Sequence, residues 1–286
     1  MDRVGRAPGG KSSKNVNSGN MTTSYIGVKG TEDLGGGLKA SFVIEQGISP
    51  TQPEAFDIRV GSNAHQIAGN GTHTTGNSRQ TFLGLAGGFG SIDAGAVNYN
   101  TLGTYLTGQP FGTAIGSGFS SVSARLVRSD NSINYKSPSF GGLTVSLYNA
   151  QKQTKASGST YSSTFGAYDF TGSDEVNVSY NNGPIAASYT NLKQKAADGS
   201  STTFDTLGAN YALGAAKLFV LVQNTKNSAN TVDSSYATAS ATYTMGATVL
   251  MAQAGSLKVK SGAKSNIAAL GADYNLSKRT AVYARY

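Results

Sequence analysis

Connections of two sharply different kinds take turns along this chain, between segments in which apolar and polar residues alternate. The short ones carry turn chemistry: TEDLGGG at 31–37, GGFG at 87–90, SPSFGG at 137–142, NNGP at 181–184, ALG at 212–214, MG at 245–246 and NLSK at 275–278. Glycine supplies positive φ there, while Asn, Asp and Ser bond back to the chain. The long ones lie near 47–78, 98–127, 151–173, 194–202, 227–232 and 258–264 and are rich in Ser, Thr, Gly and Asn. Loops of a soluble sandwich have no reason to sort by length according to which end of a strand they leave. A barrel in an outer membrane does, because its turns are tight on one side and its loops long on the other. Seven short and six long connections join about fourteen strands, and residues 1–20 read as part of a further long loop.

The segments agree on how they face. In LKASFVIEQ, Leu38, Ala40, Phe42 and Ile44 share one side, and Lys39, Ser41 and Glu45 the other. Ile133 and Tyr135 oppose Asn134 and Lys136; Leu143, Val145 and Leu147 oppose Thr144, Ser146 and Tyr148; Val282, Ala284 and Tyr286 oppose Tyr283 and Arg285. Charged residues on the second side suit a water-filled interior. Alternation alone fits an ordinary sheet with one solvated side equally well, so the loop rhythm is what selects the barrel.

Composition narrows the function classes. No run of eighteen apolar residues exists, which excludes a transmembrane helix, but barrel strands leave no such run. With no Cys, the chain has no disulfides, thiol catalysis or Cys-based zinc sites. A formal charge of +8 would suit nucleic acid or an anion pathway; the basic residues are scattered, with no Lys/Arg-rich run, so no nucleic-acid partner is expected. The two histidines, His65 and His73, both fall in the 47–78 loop, and no Ser-His-Asp order, phosphate loop or metal spacing is present. Neither catalysis nor a cofactor or metal is expected. MDRVGRAPGGKSSKNVNSGN has the charge of a signal peptide but no apolar stretch behind it, so no secretory signal is read in this chain.

SYIGVKGTEDLGGGLKASFVIE, SRQTFLGLAGGFGSIDAG at 78–95, NSINYKSPSFGGLTVSLYNA at 131–150 and GADYNLSKRTAVYARY at 271–286 occur in this order and cover most of the chain. Together they resemble the general trimeric porins of Gram-negative outer membranes, of the Neisseria and Burkholderia type. The resemblance implies one domain over 1–286, an all-β transmembrane antiparallel barrel of the sixteen-stranded type, with about fourteen strands present. The family's first strand and its final strand, typically ending in Phe, are not matched. Tyr286 ends the segment that resembles the penultimate strand, so one strand is expected to be absent at each end.

Further implications concern function. The 98–127 segment, containing LTGQPFGTAIGSGFSS, is expected to fold into the lumen as a constriction loop. Wall arginines facing it set a preference for anions in this family. Two of their positions hold Arg79 and Arg128, and the third holds Tyr25, which weakens the cationic group. Arg128 shares its parity with Asp130, Ser132, Asn134 and Lys136, the polar side; Arg79 shares its parity with Leu83 and Leu85, so it reaches the lumen only if a bulge intervenes. Lys29, Lys39, Glu45 and, at the end of the loop, Arg125 are further pore candidates. The expected function is passive diffusion of small hydrophilic solutes and ions, with a modest anion preference, by a homotrimer whose 47–78 loop reaches a neighbouring subunit. The alternative is a non-conducting barrel or sandwich that acts as an adhesin or surface-binding module.

Overall fold

The computed structural model of the chain describes residues 2–4, 13–15, 19, 21–22, 24–48, 78–113, 115–118, 127–151, 170–196, 198–229, 233–260, 262 and 264–286. Two short strands, β1 (Asp2–Val4) and β2 (Ser13–Asn15), pair only with each other. The remaining strands form one antiparallel sheet of 14: β3 (Tyr25–Gly35), β4 (Leu38–Gly47), β5 (Ser78–Gly87), β6 (Gly90–Asn98), β7 (Arg128–Lys136), β8 (Leu143–Ala150), β9 (Phe170–Asn182), β10 (Ile185–Ala196), β11 (Ser201–Leu213), β12 (Ala216–Asn227), β13 (Asp233–Met245), β14 (Thr248–Val259), β15 (Lys264–Ser277) and β16 (Thr280–Arg285). Every strand pairs with its neighbours in sequence, from β3 at one edge to β16 at the other. This is the all-β, roughly fourteen-stranded ladder expected from the sequence.

The turn after β3 shows why the sequence reverses so tightly there. Gly35, Gly36 and Gly37 hold φ of 82°, 61° and 81°, a left-handed run that other residues adopt only under strain. The later long connections are shorter than expected. Strands β9 to β15 run to 12–14 residues, leaving only 197–200, 228–232 and 260–263 between them on the long-loop side. Residues assigned to loops by their Ser, Thr and Lys content are instead paired strand ends, because alternation fades where strands leave the apolar layer while hydrogen bonding continues.

One face of the sheet is bare and apolar. Along β12, Leu218, Val220 and Val222 are exposed, and Phe219, Leu221, Gln223 and Thr225 between them are buried. Along β9 to β15, the short-turn end of this bare face carries Tyr180, Tyr211, Tyr243 and Tyr274, amphipathic rings of the kind that settle where lipid meets water. The other face, called inner here, is covered by the connection between β6 and β7, which contains a helix, α1 (Asn100–Thr107). The buried apolar clusters all lie between this connection and the sheet: Val97, Tyr99, Tyr148, Ala150, Leu192 and Phe204 in the first, Tyr105, Leu221 and Tyr236 in the second, Phe111, Met251 and Ala269 in the third.

Val220 sits on the bare face near the middle of β12. Val220→Arg should lower folding stability in a bilayer by about 2–4 kcal/mol, and Asn224→Arg, nearer the long-loop end of that face, by about 1 kcal/mol or less. Equilibrium unfolding from lipid vesicles measures both, and equal costs at the two depths would place the apolar layer elsewhere.

Candidate functional site

The 98–118 stretch contains no charged residue, so it binds the wall through neutral groups and one carboxylate from the sheet. That carboxylate is Glu175 of β9, buried, whose Oε2 accepts from the Asn100 backbone N–H at 2.6 Å. Its Oε1 accepts from the Thr101 backbone N–H at 2.6 Å and from the Thr101 hydroxyl at 2.5 Å. A negative group here satisfies donors that the helix cannot satisfy itself and opposes the positive end of its dipole. Such a cap is needed, because Tyr99 at the N-cap makes no side-chain cap and an eight-residue helix rich in Thr is marginal alone.

Further contacts fix the helix along its length. Thr104 Oγ1 and Ser188 Oγ share a hydrogen bond at 2.6 Å, and Asn177 Nδ2 donates to Ser188 Oγ at 2.8 Å. At the far end, Asn210 Nδ2 donates to the Thr107 carbonyl at 2.8 Å. Close approach depends on a glycine in the wall: a Cβ on Gly208 would stand 2.0 Å from the Thr104 carbonyl oxygen.

Beyond the helix the chain crosses toward β13–β16. The Ser117 carbonyl accepts from Tyr105 Oη at 2.8 Å, Tyr236 Oη at 3.2 Å and Gln253 Nε2 at 3.1 Å. Burial pushes the Tyr105 phenol far above its ordinary value, so it remains a neutral donor. Phe111 lies under the Arg285 guanidinium, 5.6 Å from ring centroid to charge, and Arg285 is paired with Asp273 at 2.5 Å.

The sequence-predicted residues fall into separate groups. Tyr25, Glu45, Arg79 and Arg128 gather at the long-loop end of β3, β4, β5 and β7. Arg79 Nε donates to Glu45 Oε2 at 3.1 Å, and its guanidinium lies 4.0 Å from the centre of the Tyr25 ring. Arg128 Nε donates to Asn98 Oδ1 at 3.2 Å, and Arg128 lies within electrostatic reach of both Arg79 and Glu45. Register explains the first placement: Ile44 pairs with Thr81 and Gln46 with Ser78, so β5 holds one extra residue opposite Glu45. This bulge carries Arg79 off the side of Leu83 and Leu85 and onto that of Glu45.

The parity argument for Arg128 does not hold. Gly95 pairs with Ser132 and Val97 with Ser129, so β7 also holds an extra residue, with Asn131 at φ 53°. Alternation is therefore broken between Lys136 and Arg128, and Arg128 is placed by its contacts instead. Asp130 lies within this irregular stretch. Lys39, opposite Asp33 and Ala86, stands six residues from Glu45, roughly 20 Å along the strand. Lys136 is as remote from Arg128 and has Asp93 as its electrostatic neighbour. Lys29, opposite Val43, is exposed and lies between these groups. Arg125, His65, His73 and most of the 47–78 loop lie outside the described residues.

Sequence reasoning missed Glu175 and Asn177. Their signal was a carboxylate and an amide at consecutive buried-side positions of SDEVNVSY, polar groups that an inner wall exposes to water unless something covers them.

The family described as Gram-negative porin matches residues 4–286. Outer membrane porin protein 32 of Delftia acidovorans is 31% identical over 304 residues, covering 98% of this chain and 78% of that protein. Major outer membrane protein P.IB of Neisseria gonorrhoeae is 32% identical over 185 residues, 62% of this chain and 43% of its own length. Among solved structures, the anion-selective porin from Comamonas acidovorans superposes with a TM-score of 0.73 at 28% identity, covering 94% of this chain and 79% of that one. Salmonella typhi OmpF in complex with daunomycin, at 16% identity and a TM-score of 0.71, shares the fold.

Helix docking is directly testable because the chain has no cysteine of its own. Thr104→Cys combined with Ser188→Cys replaces two hydroxyls 2.6 Å apart and should yield a disulfide on mild oxidation, seen as a mobility shift on non-reducing gels. Adding Gly208→Val should cut the yield severalfold, since its side chain would collide with the Thr104 carbonyl. A pair of thiols that never cross-links would show that the helix rests elsewhere.

Proposed function

We propose, from the premise that this chain belongs to the family of Gram-negative porins, that it forms a water-filled channel through which small hydrophilic solutes and ions diffuse passively, with anions modestly preferred. The chain is an outer-membrane β-barrel protein, and its bare apolar face meets lipid while its inner face meets water. The reading assigns no catalytic step. The adhesin alternative has no support in the family match.

The observation that carries the anion preference is a division of charge. The covering loop is neutral over 98–118; of its charged contacts among the described residues, Glu175 is engaged by the helix N-terminus and Arg285, over Phe111, is paired with Asp273. Among the described side chains, charge near the loop's root comes from Arg79, Arg128 and Glu45, two cations against one anion. Glu45 binds Arg79 directly, which offsets part of the field of the two arginines. A narrow passage bounded by low-dielectric walls concentrates ions of opposite sign to its lining. Tyr25, against Arg79, supplies a ring where a third cation would add to the field. We infer the constriction to be the gap between this group and the 98–118 loop. A homotrimer is inferred from family membership alone.

Selectivity variants test the assignment. An anion passing roughly 7 Å from a single cation in water gains about 0.6 kcal/mol, a factor of about three in local concentration before screening. Arg128→Ser and Arg79→Ser should each lower the anion-to-cation permeability ratio by up to about that factor. Glu45→Gln and Tyr25→Arg should each raise it. Reversal potentials across a salt gradient report all four variants, and values unchanged throughout would show that the constriction has been misplaced.

A further inference from the structure

The lipid-facing side of β12–β15 ends, at the long loops, in a group of lysines that the channel does not use. Lys258 of β14 and Lys264 of β15 are directly opposed in the pairing of the two strands, and both are exposed. Directly opposed residues hold their Cβ atoms about 5 Å apart, and like charges in that position destabilise a sheet. Among the described residues, no carboxylate pairs with either of them. The neighbouring row is Lys226, Asp233 and Lys260, with Lys226 opposite Asp233 and Lys260 Nζ 3.4 Å from Asp233 Oδ2. Four lysines and one aspartate thus occupy adjacent positions on four consecutive strands.

Their depth is set by the strands. Lys226 shares its face with exposed Leu218, Val220 and Val222, and lies four residues past Val222, roughly 13 Å along the strand and about 10 Å along the membrane normal at the usual tilt. That places the ammonium groups beyond the apolar layer, among lipid headgroups, where long lysine side chains extend readily. The opposite end of the same face carries Tyr211, Tyr243 and Tyr274, and no outward lysine on β11–β15. The two membrane interfaces are chemically different, and only one is built for anions. Elsewhere on this rim, Lys195 has a carboxylate partner within the chain, Asp174 at 2.7 Å.

We propose that Lys226, Lys258, Lys260 and Lys264 form a binding surface for the phosphate groups of an anionic lipid in the leaflet on the long-loop side, with one phosphate bridging Lys258 and Lys264. A phosphate oxygen on each ammonium group turns the cross-strand repulsion into attraction, and the apolar band below receives the acyl chains of the same molecule. The inference rests on the membrane placement of the barrel and is independent of its ion selectivity.

Thermal unfolding of the full chain in neutral detergent tests it, with phosphatidylglycerol, phosphatidylcholine or inorganic phosphate added at equal phosphate concentration. Phosphatidylglycerol should raise the Tm of the unaltered protein by about 5 °C near saturation, and the other two should not. Lys258→Glu should raise the Tm without lipid, because it faces Lys264 with an opposite charge, and should abolish the lipid-dependent rise. A residue with a merely structural role would lose stability on this change. Lys258→Gln with Lys264→Gln should also abolish the rise, while reversal potentials in both variants stay at the unaltered value. A lipid-dependent rise that survives in either variant would overturn the proposal, as would an equal rise from inorganic phosphate.

Discussion

No water reaches the middle of a bilayer, so each backbone N–H and C=O placed there must find its partner within the protein. The ladder from β3 to β16 answers this by next-neighbour pairing, which among the described residues leaves only the outer edges of β3 and β16 without a partner strand. Its five register shifts all lie at strand ends: at Asp33/Gly35 and Asn275/Ser277 beside short turns, and at Ile44/Gln46, Gly95/Val97 and Lys195/Ala196 toward the long loops. Across the span itself the pairing is unbroken. With the backbone between those edges paired, side chains are free to serve two solvents, and their alternation follows from the pleat.

Irregularity is thereby confined to the places where function can use it. The bulge in β5 brings Arg79 to Glu45, and the one in β7 accompanies the arrival of Arg128 in the same group. An extra residue re-aims side chains without removing a hydrogen bond from the lipid-buried middle. The loop obeys a related economy. It is held by hydroxyls, amides and backbone carbonyls, with Glu175 consumed at the helix N-terminus, so these contacts add no free charge to the inner face that it covers.

Much of the ladder was legible in sequence because its causes are local. Period-two alternation and the glycines of TEDLGGG act within a few residues, and the first β turn is where they predict it. Misreadings arose where partners distant in sequence decide the outcome. Parity alone could not place Arg79, which needed a bulge to reach the side of Glu45, nor justify the position of Arg128, because both strands carry a bulge fixed by pairing with β4 and β6. NTLGTYLT has poor helix formers, and it is helical because Glu175, Asn177 and Asn210, more than seventy residues away, satisfy it. Residues 194–196, 201–202, 258–259 and 264 read as loop because their polar side chains stand beyond the apolar layer, although they are strand ends.

On the proposed reading, the water-filled passage carries a net positive lining near Arg79, Arg128 and Glu45. The most direct test is the zero-current potential of the unaltered protein in a planar bilayer separating concentrated from dilute potassium chloride, measured at neutral pH. The dilute side should become negative relative to the concentrated side, because chloride crosses faster than potassium down the gradient. A potential of the opposite sign, or membranes that never conduct, would contradict it.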